Sequence, residues 1–162
     1  MISDYGEQYL PRRATVGSAG YDIFSPRNME VFPMNVKATD EYYIIDTGLH
    51  LEDGDLAEDE YLMIVPKSGI GTRTGFYLAN GTGIIDSDYR GSIKVYFNIE
   101  KSILDIKKGD AIVQAIIMKR GTFGWEKRPD LERGEGGFGS TEANAVKKRG
   151  RKPKVDEDEQ QL

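Results

Sequence analysis

Five glycine-marked segments of this 162-residue chain hold the residues whose types and spacing could do chemistry. They are Ala19-Gly-Tyr-Asp22, Pro66-Lys-Ser-Gly69, Asn80 through Gly91, Gly109-Asp-Ala-Ile-Val-Gln114, and Arg133 through Thr141. In the third, Gly83-Ile-Ile-Asp-Ser-Asp-Tyr-Arg-Gly91, two apolar residues lead straight into Asp86. That order sets a carboxylate at the end of a buried strand, with Asp88 and Tyr89 in the turn beyond it. The plain alternative is an Asp-rich β-turn. The fifth segment, Arg-Gly-Glu-Gly-Gly-Phe-Gly-Ser-Thr, points to anion binding. Its successive glycine N–H groups can form an anion-cradling nest. Arg133 offers a planar fork for phosphate, Ser140 and Thr141 offer hydroxyls, and Phe138 offers a stacking face. Here the alternative is a flexible glycine linker. The other three segments are weak signals singly, since Gly-Asp and Pro-x-Ser-Gly are common turn sequences.

The elements that must position these residues read as strands. Tyr42 to Leu51, Tyr61 to Val65, Ile93 to Ile99 and Ile112 to Met118 are short, apolar and rich in β-branched and aromatic residues. Ile93, Val95, Phe97 and Ile99 alternate with Lys94, Tyr96 and Asn98, the period of a half-buried strand. Gly, Pro, Asp or Asn punctuate the gaps. At most a turn or two of helix comes after Ser68. The fold class is all-β, as a sandwich, barrel or jelly roll.

Composition sets the outer limits. Hydrophobic residues make up 38% and charged residues 30%, which suits one globular domain with a modest core. Without cysteine there is neither a disulfide framework nor a thiolate metal site. No basic region followed by an apolar run opens the chain, and no apolar stretch approaches the roughly 20 residues of a membrane span. The expectation is an intracellular, cytoplasmic protein with no membrane contact, a nuclear or virus- or phage-infected setting being the alternative. Charge is unevenly placed. From Val146 to Leu162 six basic residues meet four acidic ones, so the body carries −7 against −5 for the whole chain. A body this acidic repels a nucleotide unless basic residues or a metal gather at the site. The expected division is a domain over 1–141, including the glycine-rich motif 133–141, and a disordered charged tail over 142–162. The tail has few large apolar residues to offset its ordering entropy.

Together, in this order and spacing, the five segments closely resemble the five motifs of the homotrimeric dUTPase family. The resemblance runs from about Ala14 to Thr141, and the Thr47-Gly48-Leu49 hairpin sequence also fits. It implies a distorted jelly-roll or β-barrel subunit of the β-clip, dUTPase-like kind. It further implies a homotrimer with active sites at the subunit interfaces, each closed by a C-terminal arm exchanged from another chain. The implied reaction is hydrolysis of dUTP to dUMP and pyrophosphate, which limits uracil in DNA and supplies dUMP. Asp86 would activate the water that attacks the α-phosphorus. Mg²⁺ would be held mainly by the triphosphate and, through water, by Asp22. Lys67, Ser68 and Gly69 match the second motif, with Ser68 at the bridging oxygen toward the leaving group. Gln114 would lie near the α-phosphate. Asn80, Gly83, Ile85 and nearby backbone of the hairpin Asn80 to Tyr89 would read uracil, and Tyr89 would lie against the deoxyribose. Arg133, Gly139, Ser140 and Thr141 would grip the γ-phosphate end while Phe138 stacks over the base.

Two positions depart from the pattern. Lys67 replaces a usual arginine, keeping the charge but losing the bidentate fork. Ala111 replaces another arginine after Gly-Asp. His50, the only histidine, reads as a surface strand residue, and Trp125 as a packing residue. The run Lys147-Lys-Arg-Gly-Arg-Lys-Pro-Lys154 resembles an AT-hook, which implies a weak contact with A·T-rich DNA; the acidic end 156–159 balances it as a solvated tail. Two other readings stay open. A dCTP deaminase shares the fold but uses a glutamate where this chain has Tyr96. A dUTPase-fold regulatory or binding protein with a DNA-binding tail is the other.

Overall fold

The computed structural model describes residues 1–33 and 42–124. Eleven short strands and one short helix succeed one another among them. The strands are β1 (Ile2–Ser3), β2 (Tyr21–Phe24), β3 (Met29–Val31), β4 (Tyr43–Asp46), β5 (Leu49–His50) and β6 (Glu60–Pro66). After helix α1 (Ser68–Thr74) come β7 (Tyr77–Leu78), β8 (Gly83–Asp86), β9 (Lys94–Asn98), β10 (Leu104–Ile106) and β11 (Ala111–Lys119). Every pairing is antiparallel. A four-stranded sheet runs β2-β11-β6-β8, a three-stranded one β4-β9-β7, and β1-β5 and β3-β10 form two-stranded ribbons. Neighbours in space are rarely neighbours in sequence, as the all-β, jelly-roll-like fold requires. No helix among the described residues is long and apolar enough to cross a membrane.

The core lies where the sheets face one another. Ile23, Leu62, Ile64, Val113 and Ala115 point inward from the four-stranded sheet, and Ile45, Leu78, Val95 and Phe97 meet them from the three-stranded one. Phe97 is fully buried, with its ring stacked on Phe76 at 4.5 Å and on Tyr43 at 5.8 Å. Such offset stacking adds to the area that these rings bury.

The expected strands at Tyr61–Val65, Ile93–Ile99 and Ile112–Met118 are present within a residue at each end. The expected strand Tyr42–Leu51 is two strands, and Thr47-Gly48 is no hairpin. β4 pairs with β9, whereas β5 pairs with β1. The chain therefore turns a corner from one sheet to another. Gly48 takes φ +62, and a side chain there would strike the ring of Tyr5. The Thr47 hydroxyl donates to the Ile93 carbonyl at 2.7 Å and accepts the Leu49 N–H at 3.2 Å. Backbone bonds from Thr47 N–H to Ile93 and from Ile93 N–H to Leu49 complete the seam. Apolar alternation continues through this corner, so periodicity alone does not reveal it. Trp125 and the boundary near Thr141 lie outside the described residues.

Phe97→Ala should lower unfolding free energy by about 3–5 kcal/mol through loss of transfer energy and a residual cavity. Chemical denaturation monitored by intrinsic fluorescence checks this.

Candidate active site

Asp22 sits on β2 with only 6% of its surface exposed. A backbone bridge to Arg12 fixes its strand, the Asp22 N–H donating to the Arg12 carbonyl at 2.8 Å. A carboxylate so enclosed needs partners for both oxygens. Gln114 Nε2 donates to Oδ1 at 3.0 Å, and the Lys67 ammonium pairs with Oδ2. Burial pushes the carboxyl up, but the bonds from Lys67 and Gln114 and the charges of Lys67 and Arg12 outweigh it and hold Asp22 below its ordinary value. Register explains the meeting. β11 lies between β2 and β6, so Gln114 stands opposite both Asp22 and Val65, and Lys67 comes just beyond Pro66. Ser68 opens α1 as an exposed residue, and Gly69 is next in the helix. The short helix expected after Ser68 is therefore present.

A second group gathers around β8. Gly83 pairs with Ile64 so closely that an added Cβ would lie 3.0 Å from the Ile64 Cβ. Ile85 packs against the core. Asp86 closes the strand opposite Tyr61. The expected buried strand is instead, among the described residues, an edge strand, paired with β6 alone and with Ile84 49% exposed. Beyond it the Tyr89 N–H donates to the Asp86 carbonyl at 3.1 Å, and the buried Tyr89 hydroxyl donates to the Ser92 carbonyl at 3.0 Å. Asn80 stands in the turn before β8. Asn80 to Tyr89 is not a hairpin within one chain. β7 pairs with β9 and β8 with β6, so the turn at Asn80–Thr82 crosses between sheets.

One face of the four-stranded sheet carries both groups, at opposite ends. Reading across the register gives Asp22–Gln114–Val65, then Ile116–Met63–Ile84, then Met118–Tyr61–Asp86. Four residues of strand and three strand spacings separate Asp22 from Asp86, roughly 15–20 Å at ordinary sheet dimensions. Among the described residues, a single chain thus keeps the Asp22 group and Asp86 apart. A cavity of about 240 Å³ lies on the other face, among Leu10, Tyr21, Ile23, Leu62, Ala115 and Ile117, and holds none of them. Arg133, Phe138, Gly139, Ser140 and Thr141 lie outside the described residues.

A family model described as dUTPase matches residues 7–142. The chain belongs to the dUTPase family. Among curated relatives, the deoxyuridine 5'-triphosphate nucleotidohydrolase of Rickettsia bellii is 40% identical over 136 residues, covering 82% of this chain and 86% of its own. That of Rickettsia canadensis is 41% identical over 136 residues, covering 82% and 87%. Among solved structures, the dUTPase of Streptococcus mutans superposes with TM-score 0.61 at 25% identity, over 75% of this chain and 94% of the other. A variant dUTPase from phage phi11 of S. aureus, described with a structural Mg(II) ion, shares the fold at TM-score 0.59 and 20% identity, over 79% and 95%.

The dUTPase-family residues present here suit a weakly held magnesium ion. Among the described residues no three of His, Cys, Asp and Glu gather as a metal cluster. Magnesium needs no such cage, because it keeps several waters and takes few protein ligands beside phosphate oxygens. Asp22 is the carboxylate of the group that includes Lys67 and Gln114, and its oxygens already serve those two. An ion held near it would be reached through water.

Sequence reasoning missed Arg12, whose guanidinium stacks 3.9 Å over the Phe24 ring and whose charge bears on Asp22. No signal marks it, since eight residues of loop, 13–20, separate it from β2. It also placed His50 at the surface. The ring is half-buried and bonded at both nitrogens, to the Arg90 carbonyl at 3.1 Å and to Asp4 at 3.1 Å.

Lys67→Met leaves Asp22 buried without its cation and should cost about 1–3 kcal/mol at neutral pH. Because the folded Asp22 value is depressed, its pairing stabilises above the ordinary 3.8 and is lost as pH falls through the folded value. Urea denaturation at pH 7 and near pH 3 should show the gap between variant and parent closing on acidification.

Proposed function

We propose that this chain hydrolyses dUTP to dUMP and pyrophosphate at sites shared between copies of a homotrimer. The assignment as a dUTP diphosphatase rests on the family and on relatives named for that activity. One observation carries the finer reading. Asp22 and Gln114 lie at one end of a sheet face, with Lys67, Ser68 and Gly69 following β6 beside them, while Asp86 lies at the other end with Tyr89 in the turn beyond it. The residues between them, Tyr61, Met63, Val65, Ile84, Ile116 and Met118, are largely apolar and none is buried in the lone chain. An apolar face of this kind suits a second copy, and closed three-fold packing would set one copy's Asp86 turn against the next copy's Asp22 group.

In that site Asp86 orients a water and accepts its proton as the water attacks the α-phosphorus. Ser68 donates to the bridging oxygen on the leaving side, and Gln114 and the Gly69 backbone hold phosphate oxygens. Lys67 lies within the same group and reaches the phosphates as a neighbour whose charge is largely balanced by Asp22. Asp22 would hold a magnesium ion through water, and such an ion supplies charge stabilisation on the triphosphate. Asn80, Gly83 and Ile85 form the uracil pocket, where unmatched buried donors would penalise cytosine. The Tyr89 ring sits against the deoxyribose and leaves no room for a 2′-hydroxyl. Arg133, Phe138, Gly139, Ser140 and Thr141 close the site over base and γ-phosphate. The domain ends at 141, and 142–162, with its basic Lys147–Lys154 run, forms a separate charged tail with a weak DNA contact.

Pyrophosphate release across dUTP, UTP, dTTP and dCTP with Mg²⁺ tests the activity; dUTP should be strongly preferred, and ammonia from dCTP would replace this reading with a deaminase. Asp86→Asn should lower turnover on the order of 10²–10⁴-fold while nucleotide binding persists. Mixing Asp86→Asn with Gln114→Ala subunits after joint refolding should restore part of the activity, because mixed trimers contain sites with both residues intact. No recovery would place both groups in one chain's site.

A further inference from the structure

The corner at Asp46–His50 does more than join two sheets. It grips the turn that lies beyond Asp86. His50 lies at the end of β5 with its ring between two acceptors. Nδ1 faces the Arg90 carbonyl at 3.1 Å and Nε2 faces the Asp4 carboxylate at 3.1 Å. Neither partner can donate. A neutral imidazole has one N–H and satisfies one of them; the imidazolium has two and satisfies both.

Arg90 is the knot of that turn. Its Nη1 donates to the carbonyls of Ser87 at 2.8 Å and Tyr89 at 3.1 Å, and its Nη2 pairs with Asp53 at 2.7 Å. The Tyr89 N–H returns to the Asp86 carbonyl. On the other side of the corner, Asp46 accepts from Ser92 and from the Gly48 N–H. The segment from Arg90 to Ile93 is therefore seated on the corner from Asp46 to His50.

Resting on the dUTP-hydrolysing reading of the Asp86 turn, we infer that His50 is a positioning residue whose imidazolium form ties that turn, through the Arg90 carbonyl, to the β1–β5 ribbon. The charged and titratable groups around the ring are Asp4 after β1, Asp46 on β4 and Arg90 on the turn. Lys94 on β9 lies 3.8 Å from Asp46, and Asp53 neutralises Arg90. Tyr5 borders Gly48 beside them. Burial lowers the imidazole, but the Arg90 carbonyl, the bond and charge of Asp4 and the charge of Asp46 outweigh it, so His50 lies above its ordinary 6.5. The tie is complete below that value and is lost as pH rises through the folded one. His50 acts on the Asp86 turn without touching substrate.

Because His50 is the only histidine, its ring C2–H signal in the ¹H NMR spectrum of the full chain is unambiguous. It should titrate above the ordinary 6.5, and the backbone amides of Arg90 and Gly91 should shift with the same midpoint. Asp4→Asn should move that midpoint down. These readouts do not depend on dUTP turnover. For hydrolysis, His50→Gln should cost about tenfold in kcat, with little change in KM, and should remove the pH limb that tracks the NMR midpoint. A midpoint at or below the ordinary value, amides that ignore it, or superimposable pH profiles of parent and folded His50→Gln would each overturn the inference. Loss of dUTP turnover in the parent with the NMR coupling intact would instead overturn the functional reading alone.

Discussion

A buried carboxylate sets the terms for one end of this sheet. Asp22 is nearly inaccessible, and an ionised carboxyl in such a place is tolerable only if both oxygens are engaged and a cation stands beside it. Gln114 and Lys67 supply those partners from β11 and from the start of α1. Three strands must therefore hold one register. A slip of β11 by one residue would turn Gln114 into the core and Val113 or Ala115 out of it. The same constraint that stabilises the sheet brings Asp22, Lys67 and Gln114 together, so these polar residues also guard the strand pairing.

At the other end, the Asp86 turn is held by hydrogen bonds to the Asp46–His50 corner rather than by ladder pairing. β8 is an edge strand of four residues, and edge pairing alone would leave its terminus free to fray. The Thr47 hydroxyl on Ile93, the paired backbone bonds of the seam and the Tyr89 hydroxyl on Ser92 fix the segment from Tyr89 to Ile93 instead. Two anchored ends of one stiff sheet cannot approach each other. On the proposed reading, packing of chains rather than bending of one would unite Asp22 with Asp86.

Much of this was legible in the residues. Alternating Ile93 to Ile99 and the apolar run Ile112 to Met118 announce strands, and the punctuating glycines announce the turns between them. The five ordered segments resemble a family closely enough to assign candidate residues before any coordinates. The features that stayed hidden are non-local. Nothing in Thr47-Gly48-Leu49 distinguishes a hairpin from a corner, because the difference lies in which strands, Lys94–Asn98 or Ile2–Ser3, pair on either side. Nothing around His50 points to Arg90, which is far along the chain. The edge position of β8 was equally invisible, since Ile84 and Ile85 look the same whether a neighbour covers them or not.

Charge balance explains how lysine can stand at position 67 where the family pattern has arginine. The Lys67 charge is already directed at Asp22, so the pair together offers a triphosphate little net attraction. Over an acidic body, the positive charge that gathers several phosphate charges must then come from outside the pair. On the proposed reading, Arg133 with the glycine-rich segment and a magnesium ion supply it. An arginine fork at 67 would matter most if that side chain alone bridged to phosphate. Where its first partner is a buried carboxylate, a point charge of the right reach suffices, and on the same reading the geometry that decides catalysis would pass to Gln114, Ser68 and the turn that carries Asp86.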